Sequence, residues 1–279
     1  MIISFIANLL ASMTSNSSHK KKNDAKVSVG SDKNRSELAE TLCAAANDAF
    51  LDGEFEDAFD KFQRAAKLDP KRCEARVGLG KIWLEFEEYE RAYEEANRVL
   101  KQSCARADAL ELRGHASRLL GDYKSAVEDY DKAIALDKRA YVALYGRAIA
   151  RDMLGDTDAA LNDFRACLAI EPGFVSAYYD RGVLLANENK LKEAVEDYSK
   201  ALELDPEFVH CYVARGEAYT ELNQPRRALQ DFNDALELDH NAGDAYYYRA
   251  AAKEKLGDVR GAKEDGKTAR ELGFYEEEA

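Results

Sequence analysis

The chain has 279 residues, of which 46% are hydrophobic, and its formal net charge at pH 7 is -13. This composition is typical of a folded globular protein and excludes a chain made mainly of disordered or membrane-spanning segments. Because negative charge repels phosphate, we expect no nucleic-acid partner.

The chain begins with an apolar run over residues 1–13, MIISFIANLLASM, followed by a polar stretch that contains Lys20, Lys21 and Lys22. The apolar run is too short to cross a bilayer. Three interpretations stay open: a secretory signal, a weak membrane-surface anchor helped by the lysines, or a passive tail. Residues 14–35 have too few apolar side chains to build a core, so the polar part of the 1–38 segment is expected to be disordered.

An alanine then recurs every 34 residues from Ala58 to Ala262, without insertions. Self-similarity at such a period is the signature of a repeat protein. Placing this alanine at position twenty of a unit gives seven consecutive repeats. Their bounds are 39–72, 73–106, 107–140, 141–174, 175–208, 209–242 and 243–276.

Other positions of the 34-residue unit also carry fixed residue types. Position eight is Gly or Ala in every unit, which predicts close approach of two helices. Position fifteen is Gly or Asn in every unit except the second, where it is Glu87, and this predicts a left-handed turn. Prolines Pro70, Pro172 and Pro206 at position thirty-two predict a helix end just before them. Each unit is therefore predicted to form helix, tight turn, helix and break.

The small residue at eight, alanine at twenty, aromatic residue at twenty-four and proline at thirty-two together resemble the tetratricopeptide repeat. The pattern is most complete between Tyr178 and Pro206, YYDRGVLLANENKLKEAVEDYSKALELDP. The resemblance spans residues 39–276. It implies an all-α fold, a right-handed superhelical solenoid of antiparallel helix pairs.

Two oppositely charged residues recur in the last five units: Arg at position seven and Asp at position twenty-three. The first two units have neither, so the two residue types occur together. This co-occurrence favours a structural ion pair over an arginine track for acidic ligands. The predicted pairs are Arg113 with Asp129, Arg147 with Asp163, Arg181 with Asp197, Arg215 with Asp231 and Arg249 with Asp265.

The resemblance also implies a concave groove lined by first helices at positions two, five, six, nine, twelve and thirteen. In the later units these positions are apolar and rich in tyrosine, a common anchor residue in binding surfaces. Individual aromatic rings have an alternative role, filling gaps between first helices, and this stays open. The predicted groove residues are Tyr145, Ile149, Tyr179, Val183, Val213, Glu217, Tyr247 and Tyr248.

One subset of this family clamps the acidic C-terminal tail of heat-shock chaperones with lysine, asparagine and arginine at fixed groove positions. Only Asn47 matches that pattern here. The mismatched positions hold Cys43, Gly78, Asp108 and Leu112. A chaperone carboxylate tail is therefore not an expected ligand.

The sequence contains no GxxxxGK[ST], HExxH, GxSxG or CxxC motif, and the repeats leave no room for a catalytic domain. We therefore predict a non-enzymatic protein without cofactor or metal, an adaptor or scaffold that binds a peptide or helix of another protein through apolar anchors. The alternatives are a membrane-tethered assembly protein and a non-catalytic subunit of a larger complex. Five cysteines without disulfide-like spacing favour a cytoplasmic location, whereas a signal or anchor in residues 1–13 would make the protein secreted or membrane-associated.

Overall fold

A computed structural model describes residues 32–102 and 106–274, and this part of the chain contains fourteen α-helices and no β-strand. The apolar run over residues 1–13 lies outside the described residues. The helices are α1 (Asp32–Leu51), α2 (Phe55–Leu68), α3 (Cys73–Glu85), α4 (Tyr89–Leu100), α5 (Ala107–Leu119), α6 (Tyr123–Leu136), α7 (Tyr141–Met153), α8 (Thr157–Ile170), α9 (Val175–Asn187), α10 (Leu191–Leu204), α11 (Val209–Glu221), α12 (Pro225–Leu238), α13 (Gly243–Lys255) and α14 (Val259–Glu271).

The helices form seven consecutive pairs that follow the 34-residue period. From the second pair onward, each first helix fills positions one to thirteen of its unit, and each second helix begins at position seventeen. Three residues join the two helices of a pair, which makes them antiparallel neighbours. The predicted all-α fold of helix pairs is confirmed. The chain divides into two compact units between Lys138 and Arg139, with α1–α6 in the first and α7–α14 in the second.

Position fifteen has a left-handed backbone in all seven repeats, including the one where no glycine or asparagine is present. Gly53 has φ +77° and Asn189 has φ +58°, and Glu87 of the second repeat has φ +58°. The following residue donates its amide to the carbonyl five residues earlier, as Glu88 does to Trp83 at 2.9 Å. This pattern is the Schellman motif at the C-terminus of a helix, and it reverses the chain so that the second helix runs antiparallel to the first.

Small side chains let the two helices of a pair lie close together. The alanines at position twenty are buried throughout, from Ala58 at 0% exposure to Ala262 at 3%. At position eight, a methyl group added to Gly216 would lie 2.5 Å from Phe232 Cε1, the aromatic residue at position twenty-four of the same repeat. The ring therefore occupies the space that the missing side chain leaves, which explains why both positions recur together.

The first helix is longer than the repeat predicts, because α1 begins at Asp32 rather than at residue 39. The expectation of disorder was therefore wrong for residues 32–38. Ser36 Oγ donates to Asp69 Oδ2 at 3.0 Å, and Arg72 Nη2 donates to the carbonyl oxygen of Ser36 at 3.2 Å. These bonds to the end of the first repeat hold the extra turns of α1 in place.

Within residues 32–102 and 106–274, no helix combines the length and apolar character needed to cross a bilayer. Cys43, Cys167 and Cys211 are buried thiols. Burial raises the pKa of Cys167 to about 11 and that of Cys211 to about 12. These thiols therefore stay protonated and behave as small apolar core residues.

Candidate functional site

The arginine at position seven and the aspartate at position twenty-three form a bidentate ion pair in each of the last five repeats. The Nε and Nη2 atoms of each arginine donate to the two carboxylate oxygens at 2.6 to 2.9 Å. The pairs so formed are Arg113–Asp129, Arg147–Asp163, Arg181–Asp197, Arg215–Asp231 and Arg249–Asp265. This fork geometry is the one that suits guanidinium and carboxylate best.

The remaining nitrogen of several of these arginines reaches the second helix of the preceding repeat. Arg113 Nη1 donates to Asn97 Oδ1 at 2.6 Å, and Arg215 Nη1 donates to Ser199 Oγ at 3.1 Å. Arg249 Nη1 donates likewise to Asn233 Oδ1 at 2.9 Å. One guanidinium thus joins three helices from two successive repeats. Its donors are used inside the protein rather than offered to an acidic ligand.

The aspartates of these pairs are buried, so the arginines neutralise charges that water does not reach. Asp163 is 4% exposed and also accepts from Arg151 Nη1 at 2.8 Å. Asp265 accepts from Lys253 Nζ at 2.7 Å in addition to Arg249. Hydrogen bonds and charge from these two partners lower the pKa of Asp265, against the opposing effect of burial.

The predicted groove residues lie on the first helices α7, α9, α11 and α13 of the second compact unit. Tyr145 packs its ring edge-on against Phe174, with centroids 4.9 Å apart, and near Phe164 at 6.1 Å. Its hydroxyl donates to Asp180 Oδ2 of the next first helix at 2.6 Å. Tyr145 therefore fills a gap between helices, and its polar end belongs to the surface that α7 and α9 share.

The tyrosines at the same position of later repeats are held in a similar way. Tyr179 lies 4.8 Å from Phe208 and 6.0 Å from Tyr198 between ring centroids. Tyr247 packs against Phe274 at 5.4 Å. Each ring is half-buried, so it is supported from behind and presents a limited part of its surface outward.

The two phenylalanines that support these rings, Phe174 and Phe208, were missed by the sequence reasoning. Both occupy position thirty-four of a repeat that has tyrosine at position five. That co-occurrence in the fourth and fifth units was the available signal.

Val213 corrects the predicted groove. It occupies the same position as Tyr145 and Tyr179 but is only 4% exposed. It belongs to the apolar cluster around Ala228 and Phe232. A valine is too short to extend past that cluster as a tyrosine does, so it is core and is not accessible to a ligand.

The surface of α7 displays apolar side chains that nothing in the second unit covers. Val142 is 43% exposed and Met153 is 56% exposed. Together with the half-buried Tyr145 and Ile149 they recur at a spacing that places them on one face of the helix. Val183 of α9 is half-buried at the position equivalent to Ile149. This stripe is the apolar part of the candidate surface.

The acidic part of the candidate surface centres on Glu217 of α11, which is half-buried. Burial, reinforced by the nearby carboxylates of Asp244 and Glu221, raises the pKa of Glu217 to about 7, against the opposing effect of the Tyr248 hydroxyl. Tyr248 also packs over Phe232 at 6.2 Å, and burial together with Glu217 raises its own pKa to about 12.

No group of three His, Cys, Asp or Glu side chains within the described ranges is arranged to hold a metal ion. The face instead combines a set of carboxylates with aromatic rings and exposed aliphatic groups. Such a mixture suits the binding of a polypeptide segment better than the binding of a small ion.

Family models described as tetratricopeptide repeat match residues 43–108, 107–140, 175–208 and 209–241, together more than half of the chain. The chain belongs to the tetratricopeptide repeat family. Proteins of this family generally mediate protein–protein interactions. No curated protein sequence matches the chain.

Solved structures of tetratricopeptide repeat proteins share the fold of this chain at low sequence identity. The structure of Pseudomonas aeruginosa pilF has 16% identity and a TM-score of 0.68, with 78% of this chain and 99% of that one covered. A tetratricopeptide repeat protein from Parabacteroides merdae has 20% identity and a TM-score of 0.59, covering 86% and 95%. The Cut9–Hcn1 hetero-tetramer structure of the APC/C gives 17% identity and a TM-score of 0.70, covering 77% of this chain and 43% of that one.

Proposed function

We propose that this protein is a non-catalytic adaptor or scaffold that holds a peptide or helical segment of a partner on the first helices of its second compact unit. The observation that carries this proposal is the uncovered apolar stripe of α7, where Val142 and Met153 are 43% and 56% exposed beside Tyr145. Apolar groups at this spacing on a family member's first helix are natural anchors for a partner's side chains.

The arrangement of the tyrosines supports the same proposal. Rings fixed from behind by Phe174 and Phe208 lose little conformational entropy when a ligand packs on them. The arginines of the Arg–Asp pairs support it indirectly, since they tie a first helix to its own second helix and, in three repeats, to the second helix of the preceding repeat. A peptide in this groove has micromolar affinity as a first expectation, which corresponds to about -8 kcal/mol.

The proposal is tested by affinity capture from cell extract with mass spectrometry as readout. The groove variant is Val142→Asp/Met153→Asp, and the control variant is Leu204→Asp/Leu238→Asp, which places the same charges at exposed apolar sites on second helices. We expect a partner that the wild type and the control retain and the groove variant loses. Equal capture by all three proteins, or loss with the control alone, would contradict the groove assignment.

We further propose a cytoplasmic location, supported by the buried thiols of Cys43, Cys167 and Cys211, which suit a reducing compartment. A weak membrane association through residues 1–13 is a separate proposal that concerns residues outside those described. Imaging the full chain and a chain without residues 1–22 tests both ideas. A cytoplasmic signal in both cases supports the first, and release from membranes on deletion supports the second.

A further inference from the structure

The groove face of the second compact unit is strongly acidic. Its positions on α7, α9, α11 and α13 hold six carboxylates and a single lysine, Lys255. That lysine donates to the carbonyl oxygen of Thr220 at 3.0 Å. The carboxylates are Asp152, Asp180, Glu217, Glu221, Asp244 and Glu254.

Glu217 differs from the buried aspartates of the repeat in what surrounds it. Asp163 and Asp265 each meet two cationic side chains. The groups that act on Glu217 are a phenol, Tyr248, and two further carboxylates, Asp244 and Glu221. A half-buried carboxylate beside like charges is an unfavourable arrangement that a cation would relieve.

Aromatic residues occupy groove positions on the two first helices that contact α11. The helix α11 of Glu217 packs against both α9 and α13, and Tyr179 of α9 and Tyr248 of α13 lie at groove positions of those helices. Phe208 supports the ring of Tyr179, and Phe232 supports that of Tyr248. Electron-rich faces beside a carboxylate are the surroundings in which an ammonium or guanidinium group is held best.

Resting on the function proposed above, we propose that this face selects a polypeptide segment carrying a lysine or arginine, whose cationic group is seated against Glu217 beside Tyr179 and Tyr248. The apolar stripe of α7 takes the aliphatic residues of the same segment. Charge complementarity favours a basic segment as the ligand, because an acidic segment would add to the repulsion among the carboxylates.

The first test is selection of a phage-displayed library of random twelve-residue peptides on the full chain. We compare the wild type with Glu217→Gln and with the control Glu237→Gln, which removes an exposed carboxylate from α12. We expect lysine or arginine enrichment on the wild type and the control and none on Glu217→Gln. For a selected peptide, replacing its basic residue with glutamine is expected to weaken binding about tenfold or more.

The outcomes separate this inference from the proposed function. Peptides without basic enrichment that bind the wild type but not Val142→Asp/Met153→Asp overturn the cation site and leave the groove intact. Basic peptides that bind Glu217→Gln as well as they bind the wild type also overturn it. Failure to select any peptide counts against both proposals.

Proton linkage gives an independent readout. The groups that face Glu217 are Glu221 from its own helix, Asp244 and Tyr248 from α13, Tyr179 from α9 and Tyr198 from α10. A bound cation lowers the pKa of Glu217 below its free value of about 7, so binding near pH 6.5 releases a proton. Calorimetry of the selected peptide in buffers of different ionisation enthalpy should show this release in the wild type. Its persistence in Glu217→Gln would contradict the assignment.

Discussion

The hydroxyl of Tyr145 donates a hydrogen bond to Asp180 Oδ2 at 2.6 Å, across 35 residues of sequence. This bond connects α7 to α9, the first helices of two successive repeats. The Tyr145 ring meanwhile packs against Phe174 and Phe164. The same side chain thus contributes to packing between repeats and to the surface proposed to bind a partner.

Tyr145→Phe keeps the ring contacts and removes the hydroxyl. We expect it to lower the free energy of unfolding by about 1 kcal/mol, since a partly buried hydrogen bond to a carboxylate is lost. Tyr145→Ala also removes the ring and should cost about 3 kcal/mol. Urea denaturation followed by circular dichroism measures both. If the two variants had equal stability, the ring packing described here would be wrong.

Arg215→Ala leaves Asp231 buried without its guanidinium partner. The side chains are 18% and 5% exposed, so we expect a loss of about 3 kcal/mol in the free energy of unfolding. The double change Arg215→Met/Asp231→Leu removes both charges and should be less destabilising than either single change. Chemical denaturation of Arg215→Ala, of the single changes Arg215→Met and Asp231→Leu, and of the double change measures these differences.

Arg260→Ala is the matched control for this pair. Arg260 bonds to Glu264 at 3.0 Å, but their side chains are 91% and 65% exposed. Water already solvates both groups, so we expect a change within about 0.5 kcal/mol. An equal loss in Arg260→Ala and Arg215→Ala would mean that burial does not decide the strength of these pairs.

Glu87 is the non-glycine, non-asparagine residue at the left-handed turn position, with φ +58°. Relief of backbone strain in Glu87→Gly outweighs the added freedom of the unfolded chain, so we expect about 0.5 kcal/mol of stabilisation. Gly121→Ala, at φ +82° in the next repeat, should destabilise by about 1 kcal/mol. Melting temperatures that shift in the same direction for both changes would argue against the turn geometry.

The raised pKa of Glu217 predicts a specific dependence of stability on pH. The folded protein retains a proton on Glu217 up to about pH 7, whereas the unfolded chain loses it near 4.5. The stabilising contribution of Glu217 to the free energy of unfolding is therefore fully present below about pH 4.5 and is lost as the pH rises to about 7.

Glu217→Gln removes this dependence, and the variant should be more stable than the wild type by about 2 kcal/mol at pH 8 and similar to it at pH 4. Denaturation of both proteins at the two pH values measures the difference. A constant difference at both values would contradict the raised pKa.

The repeat period predicted most of the fold because local signals and packing agree at each position. Position fifteen illustrates this agreement: Gly or Asn predicted the left-handed turn in six repeats, and the structure shows the same conformation at Glu87 of the second repeat, where the residue type did not predict it. The start of α1 was not predictable in this way. Residues 32–38 have no counterpart in the repeat, and their bonds run to Asp69 and Arg72 more than thirty residues away.

The candidate site was predictable in part. The fixed geometry of a repeat predicts which helix carries each groove position. It does not predict whether the side chain at that position is long enough to extend from the core to the surface. Val213 shows the consequence, because it shares a position with Tyr179 yet ends inside the core. The raised pKa of Glu217 depends first on burial and then on carboxylates from two helices, and no single stretch of sequence displays this combination.

The most direct test of the central claim is photo-crosslinking in cells with p-benzoylphenylalanine placed at one site of the full chain. Met153 of α7 lies on the proposed groove face, and Leu238 at the end of α12 is similarly exposed on a second helix. We predict that the probe at Met153 gives a discrete covalent adduct with a partner protein and that the probe at Leu238 does not. Adducts from Leu238 alone, or the same adduct from both sites, would contradict binding on the first helices.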